Sequence, residues 1–244
     1  MKGFIIALQF MTRIPLFITI EMDNKDFGRS SRFFPLVGLV IGTILALAYY
    51  FANWFFPPLV LGALILILEI IITGGIHFDG FIDTMDGILS ARPRERVFEI
   101  MKDSRVGAHG VTALLCLVLL KFSLLVSLSS SYILFILLLM PVLGRWAMVF
   151  CLAFFPYAKP EGLGKIFWEE TDKVQWYLIT GLIFLLSFIF LPNVFLIIFV
   201  ITLLVALTPM LLINKKLQGH TGDTYGAINE ITEVIFLLIC LLVL

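Results

Sequence analysis

The sequence predicts an all-α, polytopic integral membrane bundle, and three observations carry that expectation. Of its 244 residues 61% are hydrophobic and only 14% charged, with a mean hydropathy of +1.08. Soluble domains carry about 25% charged residues. Apolar runs reach bilayer-spanning length without a charge, where a soluble core helix would keep one polar face. The charged residues gather in alternate connections between those runs. Seventeen basic and seventeen acidic residues cancel, so no net field points to nucleic acid.

Six runs read as spans: 33–51, 59–73, 111–128, 133–155, 174–191 and 194–213. At ~1.5 Å per residue the shortest covers about 22 Å, so its ends borrow from flanking residues. Two terminal hydrophobic segments are ambiguous. Residues 4–20 are interrupted by Arg13-Ile14-Pro15, and 231–244 are short with Glu233 near their start; either suits a re-entrant or interfacial segment. The N-terminus lacks a small-x-small cleavage site, so a cleaved signal peptide is not expected.

The connections at 52–58, 129–132 and 192–193 are short and uncharged. Those at 21–32, 74–110, 156–173 and 214–230 hold thirteen of the seventeen Lys and Arg and all three His. Basic short loops stay cytoplasmic, so every charged loop is expected on that face of the cell inner membrane. Cys116, Cys151 and Cys240 lie inside apolar runs without metal or disulfide spacing and read as small apolar fillers. Gly38 and Gly42 form a GxxxG in an apolar span, a candidate close helix contact. Linkers and fixed-period repeats are absent from the sequence, and one membrane-embedded catalytic domain over 1–244 is the economical organisation.

Residues 73–110 carry the chemistry. Gly74 and Gly75 can end the preceding span or admit a ligand close to the backbone. Asp79, Asp83 and Asp86 follow at i, i+4 and i+7, which stacks them on one helix face. Like charges so stacked repel unless a cation sits between them, and carboxylates with oxygen-only neighbours suit Mg²⁺. The intervening Phe81, Ile82, Met85 and Ile88 favour a packed helix over a solvated acidic face. Arg92, Arg94, Arg96, Lys102 and Arg105 come next, and arginine forks hold phosphate. The positive-inside bias accounts for Arg92, Arg94 and Arg96; Lys102 and Arg105, beside Asp103 and small residues, are candidates for a diphosphate clamp. His77, two residues before Asp79, is a candidate base or ligand.

Two glycine-bearing segments share this texture, Tyr157–Gly164 and Gly219–Gly226, and glycine turns of this kind can cradle phosphate. Gly162, Gly222 and Asp223 are their candidates, with Glu230 following. Lys121 and Arg145 sit near the middle of their spans and Glu69 about one turn from the end of its own. Such groups face the protein interior with a partner. An ion pair suits Glu69, snorkelling suits Lys121, and Arg145 is expected to line the catalytic cavity.

These residues resemble a known family. GGIHFDGFIDTMDG (74–87) followed by RERVFEIMKDSRVGAHG (94–110) is similar to cobalamin synthase, or adenosylcobinamide-GDP ribazoletransferase. So are FMTRIP (10–15), FFPLVGLVIG (33–42), GRWAMV (144–149), YAKPEGLG (157–164) and GHTGDTYGAINEITE (219–233). The departures are aliphatic or aromatic swaps at Ile76, Phe78, Phe81 and Ile82, and Glu69 lies outside the pattern. The resemblance implies a transferase joining adenosylcobinamide-GDP and α-ribazole, or its 5′-phosphate, to give adenosylcobalamin, or its phosphate, and GMP, with Mg²⁺. Its partners would be those substrates and membrane lipid, with a homo-oligomer compatible.

On that reading Asp79, Asp83 and Asp86 hold the metal, and a ribose hydroxyl loses its proton to an aspartate or to His77. Lys102, Asp103 and Arg105 close a phosphate clamp, with Asp223 and Glu230 opposite. CDP-alcohol phosphotransferases are the alternative, but their motif has Ala-Arg where Asp83-Thr84 stands here and a four-residue spacing before the last aspartate. An anion or nucleotide transporter would need more polar residues along its spans than Lys121 and Arg145.

Overall fold

A computed structural model describes residues 2–128, 131–190 and 193–244, apart from the side chain of Phe190. Twelve α-helices are found among the described residues, and no strands beyond one isolated bridge between Tyr157 and His220. They are α1 (Lys2–Met11), α2 (Asn24–Arg29), α3 (Phe34–Ala52), α4 (Pro58–Thr73), α5 (Ile76–Leu89), α6 (Arg94–Lys102), α7 (Ala108–Ser127), α8 (Ile133–Phe154), α9 (Leu163–Glu170), α10 (Lys173–Phe190), α11 (Val194–Leu217) and α12 (Gly222–Val243). By length and composition, five helical segments among them cross a bilayer, or up to seven if each of two bent pairs counts as one span. The chain is therefore a multi-pass membrane protein.

The six expected spans coincide with α3, α4, α7, α8, α10 and α11. Ser129, Ser130, Leu191 and Pro192, in two of the expected connections and one span end, lie outside the described residues. The terminal segments separate. Residues 231–244 are the C-terminal part of α12, a 22-residue helix long and apolar enough to cross. At the other end α1 stops at Met11, too short to cross alone. The backbone N–H of Arg13 then donates to the Ile72 carbonyl at 2.6 Å, tying the irregular segment after α1 to the end of α4.

Small residues set two close helix crossings. A Cβ on Gly38 would meet the Pro141 carbonyl oxygen at 2.4 Å, and one on Gly42 would meet that of Leu138 at 2.2 Å. The GxxxG thus lets α3 lie against the backbone of α8, as small residues do between spans. A Cβ on Gly80 would likewise meet the backbone of Asp223 at 2.6 Å, so α5 and α12 also touch backbone to backbone.

The charged connections meet at one end of this bundle. Arg94 donates to the carbonyls of Leu217 (2.6 Å) and Ala158 (2.9 Å), and Lys216 to that of Arg92 (2.8 Å). Arg29 pairs with Glu170 at 2.9 Å. Ala158 and His220 exchange backbone hydrogen bonds with the facing segment, Ala158 N–H to His220 at 2.8 Å and His220 N–H to Pro156 at 2.9 Å. Segments far apart in sequence thus form one polar cap, and basic side chains expected merely to mark a membrane face also stitch it together.

Candidate active site

The site begins at the corner between α4 and α5. Gly74 caps α4 and Gly75 precedes α5, both left-handed with φ of 65° and 71°. Only glycine adopts such a pair without strain. The corner turns α5 by 92° from α4, out of the span and into the polar cap. Arg13 lies over it, since a Cβ on Gly74 would meet the Arg13 Nε at 2.4 Å.

From this corner α5 presents Asp79 to a cavity of about 370 Å³. Asp223 at the start of α12 lines the same cavity, together with His77, Lys159, Glu161, Gly162 and Gly222. A capping box fixes the start of α12: Thr221 Oγ1 accepts from Thr224 N–H, and Thr221 N–H donates to Thr224 Oγ1. Lys159 Nζ donates to Asp223 at 3.1 Å. Phe10, Phe34, Met148, Leu152 and Phe167 make the cavity's other walls apolar, with Phe167 packed 5.1 Å from both Phe10 and Phe34.

Asp83 lies one turn beyond Asp79, half-buried. Burial first, then the charges of Asp79, Asp223 and Asp86, push its carboxyl up to about 6, against the pull of Lys159. The cavity end of α5 therefore carries more negative charge than its one neighbouring ammonium offsets. Tyr157, above Gly162, is raised by burial and by Asp223.

Asp86 corrects the expected column of three metal ligands. It is buried and accepts the backbone N–H of Gly107 at 2.7 Å and of Gly110 at 2.8 Å, at the N-terminus of α7. Its charge complements that helix dipole and also adds to the negative field on Asp83. Asp79 and, from the facing helix, Asp223 line the cavity, while Asp83 lies outside its lining and feels the charge of both. Their donor set is oxygen only, which suits a hard divalent cation.

The expected clamp lies elsewhere too. Lys102 is exposed at the end of α6, and Arg105 is exposed and forked onto Asp103, with contacts of 3.0 and 2.7 Å. Those hydrogen bonds hold the Asp103 carboxyl down to about 2. None of the three lines the cavity. Glu230, expected on the cavity wall, is 2% exposed and bonds Lys121 at 3.0 Å.

Arg145 and Lys121 belong to a buried network instead. Lys121 Nζ lies 3.0 Å from Glu69, 3.0 Å from Glu230 and 2.5 Å from Glu233. It does not snorkel; both it and Arg145 are fully buried. Arg145 reaches Glu233 at 2.5 Å and His77 Nδ1 at 3.2 Å. Among the described residues, Glu69, Glu230 and Glu233 are the one acidic group whose ligand atoms lie within 4.8 Å of one another. The ammonium of Lys121 already stands where a metal would, so these glutamates balance charge inside the bundle.

Comparison with known proteins decides the family. The family described as cobalamin-5-phosphate synthase matches residues 3–241. The chain belongs to that family. An adenosylcobinamide-GDP ribazoletransferase of Desulfitobacterium hafniense is 43% identical over 98% of this chain and 96% of its own length. One of Clostridium botulinum is 38% identical over 100% and 98%, and one of Acetivibrio thermocellus 38% over 98% and 97%. No solved structure matches. Nothing in these matches supports the CDP-alcohol phosphotransferase or transporter alternative.

For this member of the cobalamin-5-phosphate synthase family, sequence reasoning missed three residues that line the cavity. Lys159, Glu161 and Tyr157 sit in the YAKPEGLG block, where only Gly162 was singled out. The available signal was a lysine and a glutamate flanking a proline directly after a span, beside glycines.

Proposed function

We propose that the chain is a Mg²⁺-dependent adenosylcobinamide-GDP ribazoletransferase whose reaction runs in the cavity between α5 and α12. The observation that carries the reading is that Asp79 and Asp223, from two helices, line one cavity with Lys159, in a chain whose residues 3–241 match the family. Asp79, Asp83 and Asp223 would hold the cation through oxygen. When bound, Mg²⁺ neutralises charge on the diphosphate.

A ribose hydroxyl of α-ribazole attacks the phosphorus that bears the cobinamide. A phosphoester bond forms, the bond to the bridging oxygen breaks, and GMP departs with that oxygen. The hydroxyl proton passes to a carboxylate of the cluster. Lys159, held by Asp223, faces the phosphate oxygens, and positioning with charge neutralisation supplies most of the acceleration. The apolar wall of Phe34, Leu152 and Phe167 suits an aromatic base. A cavity of about 370 Å³ has room for a nucleoside-sized ligand, which leaves the bulky corrinoid at its mouth.

The basic segments gathered at the site's end of the bundle support a cytoplasmic site in the inner membrane. The test is GMP release by the purified protein from adenosylcobinamide-GDP, α-ribazole and Mg²⁺. No release, with the protein folded and its cation supplied, overturns the assignment. Transfer to a lipid or glycerol phosphate acceptor would revive a phospholipid-type reaction.

A further inference from the structure

His77 faces Arg145 through Nδ1, with 3.2 Å between that nitrogen and the Arg145 Nη2. A guanidinium offers five N–H donors and no acceptor, and it stays protonated in proteins. Nδ1 must therefore accept, and the ring proton sits on Nε2. Among the described residues no protein acceptor meets Nε2, while the histidine lines the cavity.

The partner that fixes this arrangement is itself fixed. Arg145 Nη1 donates to Glu233 Oε1 at 2.5 Å, and Glu233 Oε2 accepts from Lys121 Nζ at 2.5 Å. Asn229 adds a donor to Glu233 at 3.1 Å. All four are fully buried. A Cβ on Gly144 would meet Asn229 Oδ1 at 2.5 Å, so α8 comes close enough for the next residue, Arg145, to reach both partners.

We propose that His77 is a fixed N–H donor, not a base. Its Nε2–H is held toward the cavity to bond a phosphoryl oxygen of the diphosphate substrate. Arg145, Glu233 and Lys121 are the positioning residues that set its tautomer. An imidazole already protonated on the nitrogen facing substrate cannot take up the hydroxyl proton there, so that proton goes to a carboxylate. A donor aimed at charge developing in the transition state contributes through kcat rather than through substrate affinity. The identity of the phosphoryl ligand rests on the function proposed above; the tautomer does not.

Two experiments test this. The first labels the histidines of the full chain with ¹⁵N in lipid nanodiscs and assigns His77 by its loss in His77→Gln. The expected spectrum shows an unprotonated Nδ1 and a protonated Nε2; a proton on Nδ1 overturns the proposal even if GMP release is intact. The second compares His77→Gln, whose amide can present an N–H near the Nε2 position, with the shorter His77→Asn. Glutamine should keep kcat within about tenfold of the original, and asparagine should lose about 10²–10³-fold with KM for adenosylcobinamide-GDP little changed, the usual cost of one oxyanion donor. Equal loss in both variants, with folded protein and unchanged KM, overturns the donor role. A wholly inactive parent protein with the expected spectrum would sink the proposed reaction and leave the tautomer standing.

Discussion

Gly80 lies against the backbone of Asp223: a Cβ at position 80 would be 2.6 Å from the Asp223 carbonyl oxygen and 3.0 Å from its Cα. Neither contact is a flexible side-chain end, so the helix carrying Asp79 and the one carrying Asp223 leave no room for a side chain at position 80. Gly80→Ala must push them apart. Over-packing of this kind costs ~1–3 kcal/mol, and small misplacements of reacting groups cost rate steeply. GMP release should fall about 10²-fold while the protein still purifies as a folded species; activity within twofold of the parent would mean the crossing does not set the site.

Asp83 and Asp86, three residues apart, should fail differently. Asp83→Asn removes charge beside Asp79 and Asp223 and should abolish turnover with melting little changed. Asp86→Asn loses the carboxylate that serves the backbone donors of Gly107 and Gly110, where charge-assisted bonds to a buried acceptor are worth about 1.5–3 kcal/mol. Its first effect should be a lower melting temperature. Turnover and thermal unfolding measured on both variants check this, and a stable, inactive Asp86→Asn would return that residue to the catalytic set.

Divalent cation affinity should weaken in mild acid. The Asp83 carboxyl is raised to about 6 by burial and by its acidic neighbours, so a proton competes with the cation from about pH 6 downward. Above that range the carboxylate is free to bind. The apparent Mg²⁺ constant, measured by titration between pH 5 and 8, should rise as pH falls through 6, and Asp83→Asn should flatten that dependence.

Removing the ammonium at the centre of the buried network leaves three glutamates without their shared partner. Breaking a buried pair costs about 3–5 kcal/mol, so Lys121→Met should unfold or fail to accumulate in the membrane. Glu69→Gln, which keeps Glu230 and Glu233 on Lys121, should be much milder. The ratio of membrane-inserted protein in the two variants is the measurement, and equal yields would contradict the network's role.

His220 gives a pH dependence of stability. Its ring is buried beside Phe155 and Tyr225, and burial pulls it down to about 4 from 6.5. Below pH 6.5 the unfolded chain takes a proton that the folded chain refuses. The folded state therefore loses stability as pH falls, by about 3 kcal/mol at most, and the loss levels off near pH 4. The melting temperature should fall more steeply over this range in the parent than in His220→Phe; parallel curves would count against it.

The fold was largely legible because hydropathy reports directly on what a bilayer accepts, and α3, α4, α7, α8, α10 and α11 fall where the apolar runs lie. The unity of α12 was hidden. Asn229, Glu230 and Glu233 look like the end of a polar loop until Lys121 and Arg145, far away in sequence, are seen to neutralise them. The site was half legible. Spacing on a helix placed Asp79 and Asp83 together, but it could not show that Asp86 turns to the α7 N-terminus, or that Asp223 arrives from the facing helix with Lys159. Nor could spacing show that Arg105 is satisfied locally by Asp103, two residues away.

The two carbonyls held by Arg94 belong to Leu217 and Ala158. That one side chain ties its own segment to two stretches of chain made at very different moments of synthesis. Until the ribosome has delivered the region around Leu217, the guanidinium has only half its clasp, and the cavity lined by Asp79 still lacks the Asp223 side that follows in the chain. A chain stalled before α12 is made therefore holds Asp79 without the wall that Asp223 supplies.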